Sequence, residues 1–107
     1  MSTVTKSEIL DLANLVAYQT GAVVSRQVTK SEGGNVTLFA FDEGQELSEH
    51  TAPFDALVHV LDGEAEIKIS GKLYALKAGE GIIMPANAPH ALFARKKFKM
   101  LLTMVRA

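Results

Sequence analysis

Residues 64–77 read EAEIKISGKLYALK. Ala65, Ile67 and Ile69 fall on one side of an alternation and Glu66, Lys68 and Ser70 on the other, the period of two that a half-buried strand requires. Ser70-Gly71 interrupts the alternation and Lys72–Lys77 resumes it, so the stretch predicts a tight hairpin. The pattern continues outward in both directions. Upstream, Val23–Thr29, Asn35–Phe41, Leu47–Thr51 and Phe54–Leu61 read as strands, with Lys30–Gly34 a polar turn and Pro53 a break. Downstream, Ile82–Met84, His90–Ala94 and Phe98–Val105 do the same, parted by the loop Pro85–Pro89 and the charged turn Arg95–Lys97. About nine short strands with turn signals at such close intervals predict a barrel or a sandwich.

Only the first segment keeps another period. Ile9, Leu12, Ala13 and Val16 form a stripe at helical spacing, Thr5 and Glu8 fit a capping box, and Gly21 is a stop. A short helix over about 6–18 is expected, packed outside a barrel spanning about 22–106.

Several strands are apolar on both faces. Val36, Leu38 and Ala40 oppose Phe39 and Phe41, and Met100, Leu102 and Met104 oppose Leu101 and Val105. A small barrel needs one apolar face per strand, so the helix, another layer or a second copy must cover the other. A homodimer is expected on that ground.

Composition narrows the function classes. The 107 residues suit one domain, 1–107, and 48% hydrophobic with 21% charged residues is ordinary for a folded chain. A net charge of −1 argues against nucleic acid as the main partner. No apolar run approaches the length of a membrane span, and Met1–Thr5 lacks the apolar core of a signal peptide. The absence of cysteine excludes disulfides, thiolate metal sites and cysteine nucleophiles, and it suits a reducing cytoplasm. Arg95, Lys96, Lys97 and Lys99 read as a solvated turn, and Gly33-Gly34 lacks the helix and Lys-Ser/Thr pair of a phosphate loop.

Histidines carry the remaining chemistry. Gly44 precedes His50 by six positions, Gly63 closes the same segment, Gly79 precedes Pro85 by six, and Asn87 and His90 follow Pro85. In this arrangement, from Gly44 to Ala94, the sequence resembles the cupin family. The resemblance implies an all-β fold, the double-stranded β-helix or cupin jelly-roll barrel, here with a short N-terminal helix. It also implies a divalent metal inside the barrel, held by two histidines and a glutamate of the first motif and one histidine of the second. His50 and His90 match the first and last of these. Ala52 stands at the second histidine position and Ala56 at the glutamate position, and a methyl group binds no metal. Asn87 replaces a glycine, a mild change because asparagine tolerates positive φ, and Ala94 replaces the terminal asparagine.

The expected ligand pocket is therefore His50, Ala52, Ala56, Val58, His90 and Leu92, with Phe54, Met84 and Met104 as looser neighbours. The expected metal site is His50 and His90 alone, a weak or incomplete one that binds a divalent metal loosely. Strand parity turns His59 out of the barrel, admits Asp55 only through a bulge, and gives Ser48 and Glu46 the facing of His50. Such a pocket suits a small organic molecule. The leading function is a small-molecule-binding cupin with a degenerate metal site. The alternatives are a metal-dependent dioxygenase or isomerase, a metal-free catalyst with His50 and His90 as acid and base, and a structural dimer module.

Overall fold

The computed structural model describes residues 4–106. Eight strands follow in chain order: β1 (Val23–Ser31), β2 (Gly34–Phe41), β3 (Glu46–His50), β4 (Phe54–Ile69), β5 (Lys72–Lys77), β6 (Gly81–Met84), β7 (His90–Phe93) and β8 (Phe98–Arg106). Every pairing is antiparallel, and β4 belongs to two sheets. Its first half lies between β8 and β6 in a sheet that runs on through β2 to β1. Its second half lies between β7 and β5 in a sheet whose far edge is β3. The two sheets curl over a common core as a jelly roll.

The strands expected at Phe54–Leu61 and Glu64–Ser70 are thus one strand bent in the middle, which makes eight rather than nine. The register against β8 skips between Val60 and Asp62, and Gly63 follows with φ of 74°. The skip resets the parity. Ala56, Val58 and Val60 face the core before the bend, and Ala65, Ile67 and Ile69 after it, all of them buried. Gly63 must be glycine for two reasons: an added Cβ would occupy the left-handed region and would overlap the Lys97 carbonyl oxygen. Below the bend, the Phe41 and Phe98 rings stack at 4.5 Å and 12°, both fully buried, and close the floor of the barrel. The hairpin at Ser70-Gly71 forms as expected, with φ of 49° and 85°, the two positive values that a tight two-residue turn of this hand requires.

The helix expected over about 6–18 shrinks to one 3₁₀ turn, Leu12–Asn14. Ser7 has φ of 63°, which no α-helix continues through, and Asp11 at the start of the turn makes no side-chain cap. The carbonyls that a longer helix would use internally are taken by the barrel. Lys99 Nζ donates to Ala13 O, and Arg26 Nη1 donates to Leu15 O at 3.3 Å. Ile9, the first member of the helical stripe, is fully exposed. Leu12, Leu15, Val16 and Tyr18 instead lie across the outer face of the first sheet, on Leu38, Ala40, Val24, Val28, Leu61 and Leu101.

This segment is the cover that the two-sided strands called for. Tyr18 pins it: its hydroxyl donates to Asp62 Oδ2 at 2.6 Å, and Lys97 and Lys99 sit 4.8 and 5.1 Å from its ring. Burial first, and then the Asp62 carboxylate, push the Tyr18 phenol well above its usual range. The basic group is therefore more than a solvated turn, since two of its lysines hold Tyr18 and Arg95 pairs with Glu66 at 3.1 Å. The cover is partial. Leu57, Ile83 and Val105 remain exposed on the same face.

The bend yields a stability prediction. Gly63→Ala should cost more than the roughly 1–3 kcal/mol of a strained backbone residue, because the added Cβ also meets the Lys97 backbone. Gly79→Ala, at φ of 91° with open space around it, should lose only the conformational part. Urea denaturation of the two variants beside the parent separates these contributions.

Candidate functional site

Two elements bring the histidines together. His90 opens β7, paired with Ile69 of β4 on one side and His50 of β3 on the other. The loop before it is tied from several directions. Asn87 takes φ of 65°, and its N–H donates to Ala52 O at 2.8 Å. Ala86 N–H donates to Asp55 Oδ1 at 2.9 Å, and Ser70 N–H donates to Pro89 O at 2.8 Å. His50 ends β3, just past a bulge: Leu47 pairs with Leu92 and His50 with His90, so Ser48 and Glu49 stand against Ala91, two residues against one.

That bulge overturns one parity expectation. Leu47 packs on the core and His50 still meets His90, so Glu46 and Ser48 do not share the facing of His50. Glu46 lies outside, in a groove with Glu66, Lys68, Leu73 and Phe93. Asp55 stays outside as well, serving the Ala86 amide, and His59 is exposed on the opposite face of β4 from Val58 and Val60.

The rings of His50 and His90 meet edge to face, 4.3 Å apart at 67°, with Nε2 to Nε2 at 3.1 Å. Each ring is fixed from behind. His50 Nδ1 lies 2.8 Å from Ser48 O, and His90 Nδ1 lies 3.2 Å from Ala88 O. A carbonyl oxygen only accepts, so both Nδ1 atoms carry the proton and donate. In the neutral rings both Nε2 atoms then carry a lone pair, 3.1 Å from one another. Such a pair needs an electrophile between or beside its nitrogens, either one shared proton or a cation. Two protons, one on each Nε2, would oppose N–H to N–H at this distance.

His50 is exposed and His90 is buried, so the pair sits at the barrel mouth with one ring reached by solvent and the other enclosed. Burial pushes the His90 imidazole below its usual range. The Ala88 carbonyl works the other way, and positive charge on His50 adds to the lowering.

The other expected pocket residues divide by depth. Ala56 is buried, paired with Met84 and Met104, and Ala52 is half-buried in the link from β3 to β4. Val58 and Leu92 are wholly within the packed core, so they floor the site rather than line an open cavity.

A cupin domain model matches residues 37–106. The chain belongs to the cupin family. It is similar to a conserved protein of unknown function from Streptococcus pyogenes, with 37% identity over 100% of this chain and 96% of that one and a TM-score of 0.91. A conserved cupin barrel protein from Leptotrichia buccalis is 42% identical over 91% of this chain, which covers 47% of that longer one, with a TM-score of 0.88. A cupin superfamily protein from Desulfitobacterium hafniense is 28% identical over 97% and 95% of the two chains, with a TM-score of 0.90. No curated protein matches the chain.

The donor set of this cupin can be weighed against a metal. Two imidazoles on one tetrahedral ion have nitrogens roughly 3–3.5 Å apart, given bonds of about 2.0–2.1 Å. The observed Nε2–Nε2 separation of 3.1 Å lies within that range. A full cage does not fit, because no third histidine, aspartate or glutamate joins the pair among the described residues.

What sequence reasoning missed are the two carbonyls that set the tautomers. Each lies two residues before its histidine, and nothing in the residue types Ser48 and Ala88 announces it.

The electrostatics give a pH prediction for the metal-free protein. The folded state holds His90 neutral where the unfolded chain's imidazole is already protonated, so the unfolded state binds more protons below the ordinary range. Stability is complete above that range and falls as pH drops through it. Moving from about pH 7.5 to about pH 5.5 should lower the urea midpoint of the parent, and His90→Gln should flatten the dependence.

Proposed function

We propose that this chain is a single-domain, small-molecule-binding cupin with a degenerate metal site, acting as a sensor or accessory binding protein in the cytoplasm. One observation carries the reading: the two Nε2 atoms lie 3.1 Å apart, each ring held by a backbone carbonyl, with no third or fourth protein ligand among the described residues. A divalent metal held there by His50 and His90 would supply Lewis acidity at the barrel mouth. The chain's own residues orient and enclose. Ser48 O and Ala88 O hold the tautomers, and Asp55 and Ala52 O tie the loop beside His90. The absence of cysteine fits the cytoplasmic placement, and no helix among the described residues is long and apolar enough to cross a membrane.

Restoring the two missing ligands tests the degenerate site. Ala56→Glu alone buries a carboxylate between Met84 and Met104 and should destabilise the metal-free protein. Ala52→His with Ala56→Glu should gain about 2.7 kcal/mol when metal is present at a hundredfold excess over its Kd. The parent should shift much less in the same thermal melts. A parent that binds one divalent metal tightly on its own contradicts the reading.

The homodimer belongs to the same proposal, supported by Leu57, Ile83 and Val105 beside the part of the sheet that the N-terminal segment covers. Light scattering should return twice the 11.5 kDa chain mass, and Ile83→Glu should return the monomer. An obligate interface buries on the order of 2,000 Å² or more.

A further inference from the structure

We infer that the floor end of the barrel, away from the histidines, binds a small zwitterion whose ammonium and carboxylate stand about one strand spacing apart. Asp42, Glu43, Asp62, Gly63, Lys96 and Lys97 surround a cavity of about 680 Å³ there, and neither His50 nor His90 lines it. Sites for small organic molecules enclose roughly 300–1,000 Å³.

The register places these charges. Phe41 of β2, Phe98 of β8 and Gly63 of β4 form one row across three neighbouring strands. Asp42 follows Phe41, Lys97 precedes Phe98, and Asp62 precedes Gly63. An acid, a base and an acid therefore succeed one another across the end of the sheet. Neighbouring strands lie about 4.8 Å apart, so each aspartate stands about one spacing from the lysine between them. Glu43 and Lys96 carry the two signs outward, into the β2–β3 and β7–β8 connections.

The opposite charges are held apart. Asp42 Oδ2 accepts the Gly21 N–H at 2.7 Å, and Asp62 Oδ2 accepts the Tyr18 hydroxyl at 2.6 Å. Lys97 Nζ is drawn to the Tyr18 ring, 4.8 Å from its centre. Among the described residues no ion pair joins either lysine to the three carboxylates, and Arg95 with Glu66 nearby uses none of them. Each aspartate keeps its second oxygen as an acceptor, and each ammonium keeps its N–H donors.

Charge sign then selects the ligand. A simple cation at the carboxylates meets repulsion from Lys96 and Lys97. A simple anion at the lysines meets repulsion from Asp42, Glu43 and Asp62. A molecule that carries both charges at the right span satisfies both sets, and a singly charged analogue leaves one set opposed. These groups face solvent, so a single contact is worth little, and selectivity comes from making the two together.

The test is a titration of the isotope-labelled native chain followed by amide NMR, which reports position as well as affinity. The probes are γ-aminobutyrate, butyrate and butylamine, which share one carbon-chain length and carry both charges, the negative one or the positive one. γ-Aminobutyrate should shift the amides of residues 42–43, 62–63 and 96–97 saturably. Its affinity should exceed that of either singly charged probe by at least about fivefold and should fall as salt is added. Lys96→Gln and Glu43→Gln change exposed side chains, so each should leave the thermal midpoint in place while lowering that affinity several-fold.

Butyrate or butylamine binding as tightly as γ-aminobutyrate would make the cavity a simple charged patch and overturn the inference. So would the absence of any saturable shift, shifts confined to the surroundings of His50 and His90, or variants that bind as the parent does.

Discussion

The fold depends on β4 serving two sheets. A sixteen-residue strand can do so only if it turns from one sheet to the other without breaking its hydrogen bonds, and the skip at Val60–Asp62 followed by Gly63 is where it turns. The skip also moves the inward set from even-numbered to odd-numbered residues, so both halves bury their aliphatic side chains in one core. Gly63 lies against the Lys97 backbone and pairs with Phe98, whose ring stacks on Phe41. The bend and the barrel floor are thus one packed unit, and the opposite end is left for the histidines.

At that end a second irregularity does comparable work. A regular β3 would alternate Leu47 and His50 to opposite faces, and the bulge puts both toward the interior. His50 then meets His90 across the β3–β7 pair. The two Nδ1–H groups are spent on carbonyls, which leaves both Nε2 lone pairs free, with the two atoms 3.1 Å apart. Burial keeps His90 neutral and available as a lone-pair donor. The result is one exposed and one buried imidazole side by side, with methyl groups at the two remaining family positions. This is the arrangement proposed to hold a cation, and it supplies no charge to balance one.

The outer surface follows a separate logic. Leu38 and Ala40 are as fully buried as the core, yet they face away from it, and the N-terminal segment covers them. That segment stays irregular because barrel side chains capture its carbonyls and the Tyr18 ring takes two lysine ammoniums. Tertiary contacts here outweigh a modest helical propensity, which a short segment cannot realise alone.

Alternation over residues 64–77, the turn at Ser70-Gly71 and the two-sided strands Val36–Phe41 and Met100–Val105 determined the all-β architecture, because a period of two survives in any twisted sheet. The spacing of Gly44, His50, Gly63, Pro85 and His90 determined the family, and Ala52 and Ala56 put methyl groups at two positions where the family pattern has ligands, because a residue type is a chemical fact independent of conformation. The strand count, the extent of the helical segment and the facing of Glu46 and Ser48 were not legible. Each turns on a break in periodicity, at Val60–Asp62, at Ser7 and between Leu47 and His50, and a pattern rule assumes that periods persist. The tautomers of His50 and His90 lay furthest from the sequence. They depend on which lone pair of which backbone carbonyl lies within reach of a ring nitrogen, and every residue carries such a carbonyl, so only the folded backbone distinguishes Ser48 and Ala88 from the rest.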